Sequence, residues 1–237
     1  LRIIDVIFCG VAQVAPERVN GCAYGTTNAL SLAGHRQNNS RWVMFSFFGG
    51  GHGGHPKGDG LNHGNAPIST ATIPPAEILE AAYPVMFTQW ALRPDSGGPG
   101  RYRGGLGAVY EIELLEETAN AFVFGERGKF GPPGVLGGGP GARNVFRYEQ
   151  DDGYYHPPQI SKMVGIKITR GQHLRLETPG GGGYGAANQR DPKAVARDVS
   201  LGYVTAAGAE TDYLVRLDAH GDPDIPATQR LRKAAQS

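Results

Sequence analysis

The chain has 237 residues and carries 23 Lys and Arg against 22 Asp and Glu, so its formal net charge is +1. This balance removes the electrostatic reason to expect nucleic acid or an anionic membrane surface as a partner. Hydrophobic residues make up 40% of the chain and charged residues 19%, the reverse of the balance in a disordered chain.

Targeting and redox signals are weak in this sequence. No apolar run approaches the roughly 20 residues that a transmembrane helix needs. The apolar N-terminal stretch is interrupted by Asp5 and lacks the small-residue cleavage site of a signal peptide. Two cysteines, Cys9 and Cys22, are too few for a disulfide framework. We therefore expect a cytoplasmic protein whose thiols are reduced.

The first predicted element is a helix over residues 3–14, where apolar positions recur near the helical period until Pro16 stops them. Residues 21–40 have loop composition with a short strand at 29–33. Residues 42–48 are aromatic and β-branched and predict a strand that ends in three glycines. Residues 74–82 predict a short helix with prolines in its first turn.

From residue 83 onward the pattern is mostly that of β-strands separated by Gly- and Pro-rich turns. Asp191 and Pro192 begin a helix that runs to about Leu201. The strands are predicted at 84–92, 106–115, 121–126, 144–148, 163–169 and 173–178. Strands without long intervening helices predict an α+β fold, mainly antiparallel β sheet with a few short helices. We expect one domain over residues 1–220 and a polar C-terminal tail over 221–237.

Two glycine patterns have the form G-x-G-x-x-G, at Gly49/Gly51/Gly54 and at Gly180/Gly182/Gly185. Neither opens directly into a helix, which is the context that places a phosphate on helix amides, so neither predicts nucleotide binding. The sequence also contains no G-x-x-x-x-G-K-[ST] loop and no G-x-S-x-G elbow. The chain therefore has no recognisable NTP site and no nucleophile that its pattern identifies.

The chemistry is concentrated in residues 49–64, a Gly-rich segment that holds His52, His55, His63 and Asp59. Imidazoles with a pKa near ~6.5 can transfer protons or bind metals. Three interpretations stay open: a substrate-facing or catalytic loop, direct metal ligation, and a structural loop with hydrogen-bonded histidines. The first is favoured because such loops usually serve a site.

Arg101 and Arg103 lie in the run Arg-Tyr-Arg-Gly-Gly at 101–105. One such run in a neutral protein does not indicate RNA binding. A turn whose arginines pair with carboxylates or carbonyls is the plain interpretation. Contact with an anionic or carboxylate substrate is the functional one.

Taken together, several ordered blocks resemble the C-terminal part of the hydantoinase B/5-oxoprolinase family, which includes N-methylhydantoinase, caprolactamase and acetophenone and acetone carboxylase relatives. The resemblance spans about residues 15 to 215. The blocks that carry it are Gly49–Gly51 with Asp59, Gly60 and His63; Pro74–Glu80; Leu92–Gly98; Gly100–Gly107; Thr178–Gly185; Arg190–Pro192; and Asp198, Val199 and Gly202–Val204.

The resemblance implies that the chain is part of a B-type subunit that works with an A-type ATPase subunit. In the family, the A subunit uses ATP and Mg²⁺ to phosphorylate an amide oxygen, an enolate or bicarbonate. The B subunit then completes hydrolysis of a cyclic amide (hydantoin, oxoproline or lactam) or carboxylation of a ketone. We therefore expect a portion of a hetero-oligomeric cyclic-amide hydrolase that is inactive alone, with a ketone carboxylase or a non-catalytic scaffolding subunit as alternatives.

B subunits of this family are typically more than twice as long as this chain. Their N-terminal half carries Asp-Pro-Tyr-x-Gly-Gly-x-His-type and His-His-x-Asp segments that look like the metal-binding face, and neither pattern occurs here. The resemblance thus implies a C-terminal half of a B subunit, with the N-terminal half as a partner that holds a divalent metal such as Zn²⁺ or Mn²⁺. No metal ligand is assigned in this chain.

The resemblance and the loop composition together give a set of candidate site residues. Asp59 and His63 are expected to be catalytic, with His63 as proton donor or acceptor and Asp59 orienting it or gripping a small-molecule substrate. The candidates for substrate binding are His52, His55, Arg101 and Arg103.

Overall fold

The computed structural model describes residues 2–25, 27–65 and 73–235. Its helices are α1 (Arg2–Val11), α2 (Ala76–Ala82), α3 (Pro192–Ser200), α4 (Ala206–Thr211) and α5 (Ile225–Ala234), with short 3₁₀ turns at Pro16–Arg18 and Ala187–Gln189. Its strands are β1 (Asn28–His35), β2 (Arg41–Phe48), β3 (Val85–Leu92), β4 (Ala108–Leu114), β5 (Thr118–Phe124), β6 (Val145–Gln150), β7 (Gly153–Tyr155), β8 (Lys162–Thr169) and β9 (His173–Glu177).

The strands form a four-stranded sheet in the order β2-β1-β5-β8 and a five-stranded sheet in the order β3-β4-β9-β6-β7. Every pairing between these strands is antiparallel. The predicted fold class, mainly antiparallel β sheet with a few short helices, is therefore confirmed.

The main hydrophobic core lies between the two sheets. Strand β2 shows how the sequence builds it, because successive side chains of a strand point to opposite faces. Trp42, Met44 and Phe48 are buried and belong to the core, whereas the alternate positions of β2 are exposed. The other sheet contributes core side chains from each of four strands, among them Val85, Tyr110, Ile112, Leu114, Phe146, Leu174 and Leu176.

Extended glycine-rich segments outside the sheets pack directly against each other, backbone to backbone. We call this set the glycine bundle; its segments are residues 21–25, 49–54, 97–105, 131–141 and 178–185. They are joined by hydrogen bonds such as Gly54 N–H to the Gly182 carbonyl (2.8 Å) and Gly181 N–H to the Gly105 carbonyl (2.9 Å). A Cβ on Gly53 would lie 1.7 Å from the Gly21 oxygen, so only glycine fits there.

Helices α3 and α4 pack around a second, smaller core that includes Val195, Val204, Ala209, Tyr213 and Val215. Helix α3 begins as predicted, since the Asp191 side chain accepts from Lys193 N–H (3.0 Å) and Pro192 occupies the first turn. The segment predicted as a polar tail contains α5, whose Arg232 donates to the Arg190 carbonyl (2.7 Å). The predicted domain boundary at residue 220 stays a prediction. Among the described residues, no helix has the length and apolarity needed to cross a membrane.

Candidate functional site

The histidine–glycine loop is a closed, internally hydrogen-bonded structure. Gly50 and Gly64 exchange both backbone hydrogen bonds (3.1 and 2.8 Å), and His52 N–H donates to the Leu61 carbonyl (3.0 Å). Gly60 N–H donates to the Arg103 carbonyl (2.8 Å), which ties the loop to the 97–105 segment of the glycine bundle. These bonds satisfy buried backbone groups and fix the direction of the loop's side chains.

His63 occupies the left-handed backbone region, with φ 46°, an unusual conformation for a non-glycine residue. Its N–H donates to the Leu106 carbonyl (2.7 Å), and its Nε2 contacts the Tyr110 hydroxyl. The Trp90 ring packs against the imidazole at a centroid distance of 6.2 Å. Burial lowers the pKa of His63 and raises the pKa of Tyr110, so both groups are held in their neutral forms.

His52 belongs to the same loop and has different partners. Its Nε2 is 2.5 Å from the Asn65 carbonyl oxygen, and its ring stacks on Tyr24 at 6.3 Å. His55 stands apart, in a tight turn in which it pairs with Gly58 and its Nδ1 accepts from Lys57 N–H (3.3 Å). The two histidines predicted to bind substrate therefore have different hydrogen-bond partners.

Asp59 is held by two arginines. Its carboxylate oxygens accept from Arg190 Nη1 and Nη2 (2.6 and 2.7 Å), and one oxygen also accepts from the Arg103 backbone N–H (2.7 Å). Burial of Asp59 disfavours its ionised form, but the hydrogen bonds and charge of Arg190, aided by Arg103, outweigh this and lower the pKa of the carboxyl. The oxygens of Asp59 thus face Arg190, whereas Nε2 of His63 faces Tyr110.

Arg190 and Arg103 converge on a second carboxylate, Asp198. Arg190 Nη2 lies 2.7 Å from Asp198 Oδ2, and Arg103 Nε lies 3.5 Å from the same oxygen. Arg103 is buried, and its Nη1 donates to the Gly104 carbonyl (2.6 Å) and to Asn62 Oδ1 (3.2 Å). The guanidinium of Arg103 therefore faces protein acceptors.

Arg101 is exposed, with its guanidinium carbon 5.6 Å from the centroid of the Tyr102 ring. Its carbonyl accepts from Arg190 Nη1 (3.2 Å). Arg101 and Asp59 lie on the wall of one open cleft of about 530 Å³, whose lining residues are Gly58, Asp59, Arg101, Tyr102, Gln189, Arg190, Asp191 and Ala194. The cleft therefore brings the exposed Arg101 and the Asp59–Arg190 ion pair to one wall.

The site thus has two parts, joined by Asn62. The histidine–aromatic group comprises Tyr24, His52, His63, Trp90 and Tyr110, and the arginine–carboxylate group comprises Asp59, Arg101, Arg103, Arg190 and Asp198. The Asn62 side-chain oxygen accepts from Leu106 N–H (2.9 Å) beside His63 and from Arg103 in the second group. The sequence prediction placed Asp59 and His63 together, and the structure places them on the same loop but in different groups.

The described residues do not fit the divalent metal that the family resemblance implies. No three His, Cys, Asp or Glu side chains in the described ranges are arranged to hold a metal ion. His52, His63 and Asp59 each face a different protein group. The glycine patterns do not offer a phosphate cradle either, because Gly51, Gly54, Gly182 and Gly185 N–H groups donate to the carbonyls of Pro179, Gly182, Cys22 and Val135.

Sequence reasoning missed Arg190, Asp198 and Tyr110 as members of the site. Arg190 and Asp198 belong only to the blocks that carry the family resemblance, and Tyr110 only to a predicted strand. A buried Arg with two carboxylate partners leaves a weak sequence signal, since the partner of Arg190 lies 131 residues earlier. Which charged residues pair across 131 positions of sequence can be seen only once the chain is folded.

Comparisons with known proteins agree on one family. The family model described as Hydantoinase B/oxoprolinase matches residues 1–187. An uncharacterised protein of Methanocaldococcus jannaschii is 32% identical over 234 residues, which are 98% of this chain and 40% of that protein. Caprolactamase subunit beta of Pseudomonas jessenii is 30% identical over 250 residues, covering 98% of this chain and 41% of that subunit.

Solved structures are similar over nearly the whole chain. The crystal structure of ATP-dependent caprolactamase from Pseudomonas jessenii has a TM-score of 0.84 at 28% identity and covers 94% of this chain and 40% of that one. The nucleotide-free structure of acetone carboxylase has a TM-score of 0.82 at 23% identity, covering 95% of this chain and 35% of that one, and shows a shared fold. These relatives align with 98% of this chain, yet the chain spans only about two fifths of their own length.

Proposed function

Because the chain belongs to the hydantoinase B/oxoprolinase family, we propose that it acts as part of a B-type subunit in the ATP-dependent hydrolysis of a cyclic amide, alongside an A-type ATPase subunit. The observation that carries this proposal is the likeness to caprolactamase, in sequence over 98% of the chain and in fold. ATP and Mg²⁺ would be bound by the ATPase subunit, and a divalent metal by the part of a B-type subunit that this chain does not match. The chain alone would be inactive, and its location would be cytoplasmic.

His63 is the group we assign to proton transfer. In the tautomer that donates Nε2–H to the Tyr110 oxygen, Nδ1 carries the lone pair and accepts a proton from a water molecule as that water attacks the amide carbon. The C–O bond to water forms and the ring C–N bond breaks, and the ring nitrogen takes up the proton that His63 accepted. The phosphoryl group that ATP supplied to the amide oxygen leaves as phosphate when a second water hydrolyses the resulting acyl phosphate. The lowered pKa of His63 keeps the imidazole neutral and ready to accept at pH 7.

The arginine–carboxylate group would bind and position the substrate. Arg101 is the exposed cation on the cleft wall and suits a carboxylate or another anionic group of the substrate. Asp59, held by Arg190, would accept a hydrogen bond from an amide N–H. Buried Arg103 would act by positioning Asp59 through its backbone N–H.

A ketone carboxylase is the second candidate. It is favoured by the additional histidines His52 and His55 in the loop, which could hold bicarbonate or an activated form of it. The fold shared with acetone carboxylase is compatible with this candidate but says nothing about substrate. A third possibility, a non-catalytic scaffolding subunit, is favoured by the many loop glycines whose hydrogen bonds serve only packing.

Turnover assays on the assembled complex separate these functions. The complex with an A-type subunit is offered caprolactam, hydantoin or 5-oxoproline with ATP, and separately acetone or acetophenone with bicarbonate and ATP. We expect product only from a cyclic amide, and His63→Asn should lower kcat by roughly 10²-fold or more. His220→Asn, at an exposed loop position, is the control and should leave kcat unchanged. Product only from the ketones would support the carboxylase instead, and full activity of His63→Asn would remove its catalytic role.

A further inference from the structure

The outer face of the four-stranded sheet carries an exposed apolar patch, bordered by charged side chains such as Arg41 on β2 and Lys162, whose Nζ lies 4.8 Å from the centroid of the Phe124 ring. On β2 the outward side chains are Val43, Phe45 and Phe47, and Phe45 and Phe47 are 54% and 49% exposed. Their rings contact each other edge to face at a centroid distance of 4.9 Å. Soluble monomers rarely expose contiguous aromatic surface of this kind without a partner.

The same face has the shape of a groove. Strand β1 lies between β2 and β5, and its outward side chains at Ala29, Ser31 and Ala33 are small and in register with larger ones on both sides. The rows across the sheet are Phe47–Ala29–Phe124, Phe45–Ser31–Phe122 and Val43–Ala33–Asn120. Because neighbouring strands lie about 4.8 Å apart, the two walls are separated by about 10 Å, the width of one helix or one extended segment.

A second apolar surface adjoins this groove. Helix α1 packs through Phe8 and Val11, yet Ile3 and Val6 on another side are 76% and 71% exposed. A helix that is apolar on nearly all sides is normally buried. Its first turn lies beside the end of β5, because Arg2 Nε is 3.1 Å from the Glu126 carboxylate. A cleft of about 550 Å³ opens at this junction, lined by Arg2, Phe130, Ile160 and Lys162 among others.

We propose that the β2–β1–β5 groove and the exposed side of α1 are one docking surface, and that its occupant is the part of a B-type subunit outside the segment that this chain matches. Relatives that align with 98% of this chain have about three fifths of their length beyond the aligned part. An exposed apolar surface of this kind is one that a tightly packed neighbour covers, and the groove and α1 meet at the cleft beside the Arg2–Glu126 ion pair. The proposal rests on the proposed function only in taking the chain as a portion of a B-type subunit.

The occupant should present an apolar segment over the small side chains of β1. Its large side chains would fill the space above the half-buried Ser31 and Ala33 and contact the phenylalanine walls. Edge strand β2 has a hydrogen-bonded neighbour on one side only within the described residues, so an added strand there would also satisfy its outer backbone groups.

A full-length chimera tests the identity of the occupant. The 237 residues replace the matched 250 residues of caprolactamase subunit beta, and a photoreactive benzoylphenylalanine replaces Phe47 or, as control, the exposed Leu201 at the end of α3. We expect cross-links from position 47 to peptides of the caprolactamase-derived part, and none from position 201. Cross-links from position 47 only to a second copy, to an A-type subunit, or to residues of this chain would overturn the proposal.

A measurement on the chain alone keeps the proposal testable if the chimera does not fold. The wild-type chain should bind the dye ANS, and Phe45→Ser/Phe47→Ser should reduce that fluorescence severalfold, whereas Ile78→Ser on α2 should not. A discrete dimer that Phe45→Ser/Phe47→Ser abolishes would assign the surface to a second copy and overturn the proposal, as would absence of ANS binding. Cross-linking without turnover in the chimera would leave the docking surface standing while the proposed function fails.

Discussion

Arg190 and Asp59, 131 residues apart, form a two-pronged ion pair with N–O distances of 2.6 and 2.7 Å. Arg190 is 4% exposed and also pairs with Asp198 at 2.7 Å. One guanidinium thereby fastens the histidine–glycine loop to helix α3, which carries Asp198. The position of the candidate catalytic loop consequently depends on a residue far from it in sequence.

Removal of Arg190 should be strongly destabilising. Arg190→Ala leaves Asp198 buried without its closest cation, and we expect a loss of about 3–5 kcal/mol in the free energy of unfolding. Arg170→Ala is the matched control, since Arg170 is 58% exposed and 3.8 Å from Glu116, and it should change stability by less than about 0.5 kcal/mol. Urea denaturation measures both.

A double-mutant cycle then isolates the Asp59 pair. Asp59→Asn alone should cost less than Arg190→Ala, because Asp59 is partly exposed and its removal leaves Arg190 paired with Asp198. The two substitutions together should cost less than the sum of the single ones. Additivity within error would show that the pair contributes nothing to stability.

Glycine-to-alanine substitutions test whether the glycines of the bundle are required by close backbone packing or only by backbone flexibility. In Gly53→Ala the new Cβ would lie 1.7 Å from the Gly21 oxygen and 2.2 Å from its carbonyl carbon, and neither backbone can move freely. We expect a loss of at least about 3 kcal/mol, or no folded protein. Gly10→Ala in helix α1 meets nothing within 4 Å and should be neutral or stabilising by up to about 1 kcal/mol. Thermal unfolding of both variants checks this, and equal melting temperatures would refute the tight packing of the bundle.

Local pattern was sufficient to predict most of the sheets. Residues 42–48 predict a strand because they are aromatic and β-branched and end in three glycines, and β2 is found at Arg41–Phe48. The short strand predicted at 29–33 extends to Asn28–His35 in the structure. Small residues such as Ala29 and Gly34 are held in the strand by pairing with β2 on one side and β5 on the other. Tertiary pairing overrode weak propensity there.

The parts that could not be predicted depend on contacts between distant segments. Strand β7 has only three residues, and α4 and α5 are short helices whose positions depend on packing against α3 and on Arg232. In the site, residues 49–64 were identified from composition, but the separation of Asp59 from His63 follows from partners at Arg190 and Tyr110. No local spacing specifies those partners.

The neutral state of buried His63 should appear as a pH dependence of stability. Its pKa is lower in the folded chain than the roughly 6.5 of the unfolded one, so this contribution to stability is complete above about pH 6.5 and is lost as pH falls through the lowered value. His63→Asn, which tolerates the left-handed backbone, should flatten the curve of unfolding free energy between about pH 6.5 and 5.

The control for this titration is His220→Asn, at an exposed loop position, which should leave the slope unchanged. Asp59 does not interfere in this range. Its pKa is lowered, so its contribution is complete above about pH 4 and is lost only as pH falls further. Urea denaturation at several pH values measures how the free energy of unfolding depends on pH. The same dependence for wild type and His63→Asn would contradict a buried, neutral imidazole at His63.

The two cysteines should differ sharply in reactivity even though their sulfur atoms are 3.5 Å apart. Cys9 is exposed on α1, whereas Cys22 is buried in the 21–25 segment of the glycine bundle. Burial, with the nearby charge of Asp5 and the contact with Cys9, raises the pKa of Cys22, so it remains a thiol at pH 8. Iodoacetamide should therefore modify Cys9 in the native protein and Cys22 only after unfolding, as mass spectrometry of the digested chain can show. Cys9→Ser serves as the control that removes the exposed thiol, and rapid native labelling of Cys22 in that variant would show that the segment around Cys22 opens readily.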